Sequence, residues 1–158
     1  MKYAVIDIGS NSVRLLLWAD GSALYKKKST TRLGEGLSLT GSLSQAAMQR
    51  SAEAVCRFAE EGRAAGARVL AFATAAVRRA SNGAEFVARV LDACGVRIDV
   101  LSGEREAEAG LAGALRGEDG AVIDIGGAST EVIVQRGGKA VFAVSADIGA
   151  VRLKDVCR

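Results

Sequence analysis

The sequence predicts an α/β protein built on a mixed five-stranded sheet in chain order βββαβαβα, followed by the opening β-meander of a second, similar unit. Three observations point there. An apolar meander at the N-terminus gives way to alternating helical and strand patterns, which put helices on the faces of a partly parallel sheet. A second meander later in the chain opens with the same turn that ends the first strand. Glycine (19 residues, with no proline) does all the punctuation, so turns and helix ends fall where glycine stands.

Residues 3–8 form a short apolar run ending in Asp7-Ile8-Gly9-Ser10-Asn11-Ser12. Residues 13–18 resume as a strand, and Asp20-Gly21 supplies a hairpin turn into residues 23–31. Lys26-Lys27-Lys28 in that third strand reads as a solvated edge, where charge blocks unwanted pairing. Residues 44–65 carry the longest helical pattern: Ser44 caps, Met48, Ala52, Val55 and Ala59 recur at helical spacing, and Gly66 closes it. A strand at 68–72 follows. Ser81 or Asn82 then caps a helix bearing Phe86, Val87, Val90 and Leu91, which stops at Gly95. Residues 96–101 are a further strand, and Ser102-Gly103 opens a helix over 104–115.

The polar, glycine-rich stretch 117–120 marks a boundary between a first unit, 1–116, and an incomplete second unit, 117–158. Strands at 121–125, 132–135 and 140–144 make up the second meander, with Gly137-Gly138 turning between the last two and a helix starting at Gly149. Three strands alone leave an apolar face and a sheet edge uncovered. The first unit, a second copy or more chain must cover them, and a homodimer is the expected solution.

Composition narrows the chemistry. With no histidine in 158 residues, a Ser-His-Asp triad, a Cys-His pair, His-ligated zinc and c-type haem are all excluded. Catalysis must run on carboxylates, Arg, Lys, hydroxyls and backbone amides. A net charge of +3 is too mild to argue for nucleic acid, and none is expected as a partner. Cys56, Cys94 and Cys157 form no CxxC pair and are expected as buried, reduced thiols, which suits the cytoplasm. The N-terminus reads as a strand rather than a signal peptide, and no segment approaches a membrane span. Trp18 and the few other aromatics are expected in the core.

Val5 to Ser12 aligns with Val122 to Ser129, with aspartate, Ile-Gly and serine recurring in register. Glycine permits positive φ and close approach of backbone to ligand, and successive amides in such a turn make an anion-binding concavity. Aspartate at a strand end repels bare phosphate but can hold a divalent cation. Either turn alone reads equally as an ordinary hairpin with its aspartate bonding its own backbone. The pair points to phosphate.

Further strings complete the pattern: D-I-G-S-N-S-V-R-L at 7–15, R-L-G-E-G-L at 32–37, A-T-A-A-V-R-R-A at 73–80, S-G-E-R-E-A at 102–107, D-I-G-G-A-S-T-E at 124–131 and G-A-V-R-L at 149–153. In this order they resemble the Ppx/GppA family of exopolyphosphatases and guanosine pentaphosphate phosphohydrolases, within the acetate and sugar kinase, Hsp70 and actin superfamily. The resemblance implies ribonuclease H-like (actin-like ATPase) lobes, polyphosphate or pppGpp bound between them, Mg2+, and hydrolysis of the terminal phosphate. By the same match Glu106 activates the attacking water, Glu131 helps hold water or metal, and Arg78 contacts the phosphoryl chain. Asp7 and Asp124 match the metal-associated aspartates; Gly9, Ser10, Asn11, Ser12, Gly126, Gly127, Ser129 and Thr130 match the phosphate loops. Glu104 and Glu108 stand close to Glu106, and it is the resemblance that selects among them; it likewise selects Arg78 over Arg79. Arg14 and Arg32 are further basic candidates.

One position departs from the family pattern: Ala128 stands where a third glycine is usual. If that position needs positive φ, its Cβ costs roughly 1 kcal/mol or more. With the short second unit, this motivates a rival reading, a catalytically incompetent phosphate- or nucleotide-binding module that assembles with a partner. An ATP-dependent kinase of the same superfamily is a third, against which the 73–80 and 102–107 strings speak.

Overall fold

Alternation along the first strands decides which way the larger sheet faces. In the computed structural model, which describes residues 1–157, β1 (Lys2–Ile8), β2 (Ser12–Ala19) and β3 (Ser22–Thr30) form an antiparallel meander. Ala4, Ile6 and Ile8 of β1 and Val13, Leu15 and Leu17 of β2 turn to one face and are buried. The long helix α2 (Gln45–Ala64), after the single turn α1 (Leu37–Thr40), lays Met48, Val55, Phe58 and Ala59 on that face. Each such large side chain contributes about 1.5–3 kcal/mol on leaving water. Ser44 caps α2 as expected, its Oγ accepting from the Ala47 amide at 3.2 Å.

From α2 the chain returns as β4 (Arg68–Ala73), parallel to β1, and then runs through α3 (Ala75–Arg79) and α4 (Gly83–Cys94) into the short β5 (Ile98–Val100). The strand order is β3-β2-β1-β4-β5, so the lysine-rich β3 is an edge, as its charge implies. Helix α5 (Gly103–Leu115) is capped by Ser102, whose Oγ accepts from the Arg105 amide. The sequence pattern missed α1 and α3, which are too short to show a helical period.

The second sheet is the antiparallel meander β6 (Gly120–Ile125), β7 (Thr130–Arg136) and β8 (Lys139–Ala146), followed by α6 (Ala150–Val156). Helix α5 packs on β6 and β7. The opposite face is bare: Ile123, Ile125, Phe142 and Val144 are all about half exposed or more. Arg158, the last residue of the expected second unit, lies outside the described residues.

Several expectations need correction. Trp18 is 38% exposed, because it alternates onto the face of β2 away from α2. Asn82 begins α4 but makes no side-chain cap; its amide clamps both backbone groups of Leu43 instead. Cys157 is exposed, and Cys56 and Cys94 are half-buried. Burial, with the Cys94 sulfur alongside, pushes the Cys56 thiol up to about 12, so it stays protonated. Among the described residues no helix is long and apolar enough to cross a membrane.

Candidate active site between the two loops

Each Asp-Ile-Gly turn closes with the same backbone bond. The Gly9 amide donates to the Ser12 carbonyl at 3.1 Å, and the Gly126 amide to the Ser129 carbonyl at 2.8 Å. The loops are braced from behind. Ser10 O accepts from Gly34 N, Asn11 O accepts from Thr31 N and Arg32 N, and Gly127 O accepts from Val151 N and Arg152 N. The R-L-G-E-G-L and G-A-V-R-L strings therefore serve as supports, holding loop carbonyls away from the cavity. The amides of Ser10, Asn11, Gly127 and Ala128 take no part in this bracing.

The expected positive φ in the loops is absent: neither Gly9, Gly126 and Gly127 nor Ala128 adopts it. At Gly127 glycine is required by proximity instead. A Cβ on Gly127 would stand 2.8 Å from Ser10 Cβ and 3.2 Å from Val151 Cγ2. Ala128 consequently carries none of the positive-φ strain that the sequence raised for it.

Between the loops lies a cavity of about 400 Å³. Asp7, Gly9, Ser10, Asn11 and Ser12 line it from the first loop, and Asp124, Gly126, Gly127 and Ser129 from the second. Glu106 enters from the first turn of α5. Three predicted residues lie outside this lining. Arg78 Nη1 donates to Leu101 O at 2.7 Å and to Glu106 Oε2 at 3.0 Å, so it holds the glutamate. Glu131 of β7 is buried and accepts from Ser145 Oγ of the adjoining β8 at 2.8 Å. Thr130 Oγ1 donates to Ile148 O.

Two polar side chains join the cavity from elsewhere: Arg14, paired across the ladder with Asp7, and Thr74, at the start of α3. Thr74 escaped the sequence reading; its only signal was a hydroxyl between a strand and a helix in A-T-A-A-V-R-R-A. Arg32 instead lines a separate cleft with Lys154, behind the first loop.

Burial is the main force on Asp7 and lifts its carboxyl above the ordinary aspartate range. Arg14 opposes this, while the charges of Glu106 and Asp124 add to it. A divalent cation would relieve that crowding. Among the described residues no cluster of three or more metal-binding side chains forms. The two carboxylates beside the loop-lined cavity, Asp7 and Asp124, could nonetheless hold Mg2+, which is commonly bound by one or two carboxylates with water and phosphate oxygens completing its shell.

A sheet of order β3-β2-β1-β4-β5, followed by a second sheet whose loop mirrors the first, defines a protein of the actin-like ATPase fold. The chain belongs to the Ppx/GppA phosphatase family, which it matches over residues 18–158. It is 41% identical, over 94% of its own length, to the guanosine-5'-triphosphate,3'-diphosphate pyrophosphatase of Photobacterium profundum. It superposes on an exopolyphosphatase from Cytophaga hutchinsonii with a TM-score of 0.90 and 30% identity, covering 98% of this chain and 53% of that one. The fold extends to MreB5 of Spiroplasma citri, at a TM-score of 0.55, 14% identity, and coverage of 94% and 52%. The chain spans about a third of the curated relative's length (32%) and about half of the exopolyphosphatase.

Proposed function

We propose that this chain is the catalytic part of a phosphoanhydride hydrolase that removes the terminal phosphate of polyphosphate or pppGpp. One observation carries the reading: both Asp-Ile-Gly loops and Glu106 meet at a single cavity. Phosphoryl transfer asks little covalent chemistry of a protein; it asks for positioning and for neutralised charge. The loop amides and the hydroxyls of Ser10, Ser12 and Ser129 hold the terminal phosphate. Glu106, fixed by Arg78, orients a water for attack. Asp7 and Asp124 would hold Mg2+, which supplies positive charge to the phosphate oxygens when bound. Arg78 acts here through Glu106, and Glu131 and Thr130 shape the second loop from behind.

The two units, 1–116 and 117–158, form the two walls of the site in this proposal. A cytoplasmic location and a homodimer complete it; the bare face of β6–β8 supports the dimer. Light scattering that finds one chain at micromolar concentration would remove the dimer from the proposal. The same bare face favours the rival, a binding module that acts with a partner. Phosphate release from polyphosphate or pppGpp with magnesium, compared between wild type and Glu106→Gln, separates the two. Release lost in the variant supports hydrolysis; calorimetric binding with no release from either protein supports the module.

A further inference from the structure

The support behind the first loop contains a strained residue. Arg32 has φ 51°, in the left-handed region that residues with a Cβ rarely adopt. Among the described residues Asp20 and Arg116 share that region, but each stands directly before a glycine, at the β2–β3 hairpin and at the end of α5. Arg32 precedes Leu33 instead, in the turn 31–35 that grips the loop. Such a residue persists where its surroundings over-determine it, and these places cluster at functional sites. Arg50 of α2 supplies the constraint. Its Nε donates to Thr31 O at 3.2 Å, and its Nη2 lies 3.7 Å from the Glu35 carboxylate, so one guanidinium spans the turn. Thr31 is buried, and without Arg50 its carbonyl would lose a charge-assisted hydrogen bond.

A planar trans peptide points its carbonyl and the following amide in opposite directions. Holding Thr31 O therefore aims the Arg32 amide, which donates to Asn11 O at 2.9 Å. Holding Asn11 O in turn directs the Ser12 amide away from the support, and Ser12 lines the cavity. Two peptide planes thus connect a cation on α2 to the first loop, and hydrogen bonds in such a series polarise one another. We propose that Arg50 is a positioning residue for the first Asp-Ile-Gly loop. It locks the strained turn at Arg32 and, through that turn, sets the direction and donor strength of the loop amides. Arg50 stands outside the cavity lining, so it acts on a ligand through the loop alone. The inference rests on the phosphatase reading for the identity of that ligand, a phosphate group. Arg57, two turns further along α2, makes the contrast: its Nη2 reaches the Ser29 hydroxyl at 3.4 Å, a side-chain contact rather than a grip on the loop's support.

Amide hydrogen exchange and calorimetric binding of tripolyphosphate, both on the whole chain, test the role in Arg50→Ala, Arg50→Lys and Arg57→Ala. Arg50→Ala is expected to speed exchange of the Arg32 amide about ten-fold or more and to weaken tripolyphosphate binding about ten-fold, at a temperature where circular dichroism shows the variant folded. Arg50→Lys keeps a cationic donor and is expected to recover most of both losses; it also serves should the alanine variant not fold, since its exchange and affinity must then lie between those of wild type and an Arg50→Gln variant. Arg57→Ala leaves both readouts as in the wild type. Unchanged exchange at Arg32 in Arg50→Ala overturns the lock. Faster exchange with undiminished affinity overturns the link to the loop and leaves Arg50 a structural residue. An equal loss in Arg57→Ala, or no recovery in Arg50→Lys, overturns the role as well. A wild type that binds no tripolyphosphate overturns the phosphatase reading, while exchange at Arg32 still decides the lock.

Discussion

The two meanders present one turn to one cavity and differ in what stands behind it. In the first, α2 covers the inner face, and Ile6 and Ile8 are fully buried. In the second, the corresponding Ile123 and Ile125 are 66% and 71% exposed. Across the ladder Asp7 faces Arg14, whereas Asp124 faces Glu131. Ser10 of the first loop and Gly127 of the second occupy equivalent positions in the repeat, and they are the residues that touch. Loop shape is thus a local property, copied with the sequence. Charge and packing belong to the surroundings, so two copies of a motif need not do the same work.

Breaking the shared site gives the largest effect. Glu106→Gln, which leaves both loops intact, should lower phosphate release about a hundred-fold or more while binding of tripolyphosphate persists. Loss of binding together with turnover would make Glu106 a structural residue instead.

The Ser10–Gly127 contact is the next place to probe. Gly127→Ser makes the second loop copy the first, and its Cβ collides with Ser10; we expect about 1–3 kcal/mol of destabilisation in urea unfolding. The Cβ of Gly9→Ala would meet Ser12 O at 3.4 Å, an ordinary contact, so that variant should unfold near the wild-type midpoint. Equal behaviour of the two variants would contradict the account of why glycine stands at 127.

Asp7→Asn tests the difference in charge surroundings. The folded Asp7 carboxyl titrates above its unfolded value. The stability tied to its protonated form is therefore fully present below about pH 4, the ordinary aspartate range, and is lost as pH rises through the folded value. The variant should accordingly melt higher than wild type at neutral pH without magnesium, with the gap closing in acid. Magnesium should raise the melting midpoint of the wild type and not of the variant.

The smallest effect is expected at Ala128→Gly. Because Ala128 does not need positive φ, glycine relieves nothing there and costs about 0.4–1 kcal/mol through the unfolded chain, with phosphate affinity unchanged. A gain in affinity would show that the Cβ does hold an amide off the phosphate.

Much of the architecture was legible from pattern. Period-two burial in β1 and β2, the Ser44 and Ser102 caps, the lysine edge and the repeated Asp-Ile-Gly turn all depend on neighbours close in sequence, which a single chain displays. Convergence of Asp7, Glu106 and Asp124 was reached through family resemblance, since no spacing rule relates positions so far apart in the chain. Arg78, Glu131 and Thr130 show the limit from the other side: each sits in a matching string, yet its bonding partner (Glu106, Ser145 or Ile148) is set by packing.

The βββαβαβα order, the second meander and a chemistry without histidine follow from the residue pattern alone, because strand period, turn residues and residue inventory are local or compositional. Other outcomes belong to the folded chain. Gly127 answers to proximity rather than to φ, Ala128 avoids positive φ, and Lys26 and Lys28 share a face with Arg14 while Lys27 does not. These depend on which surface meets which across the ladder and between the two loops, and such contacts exist only once the chain has closed on itself.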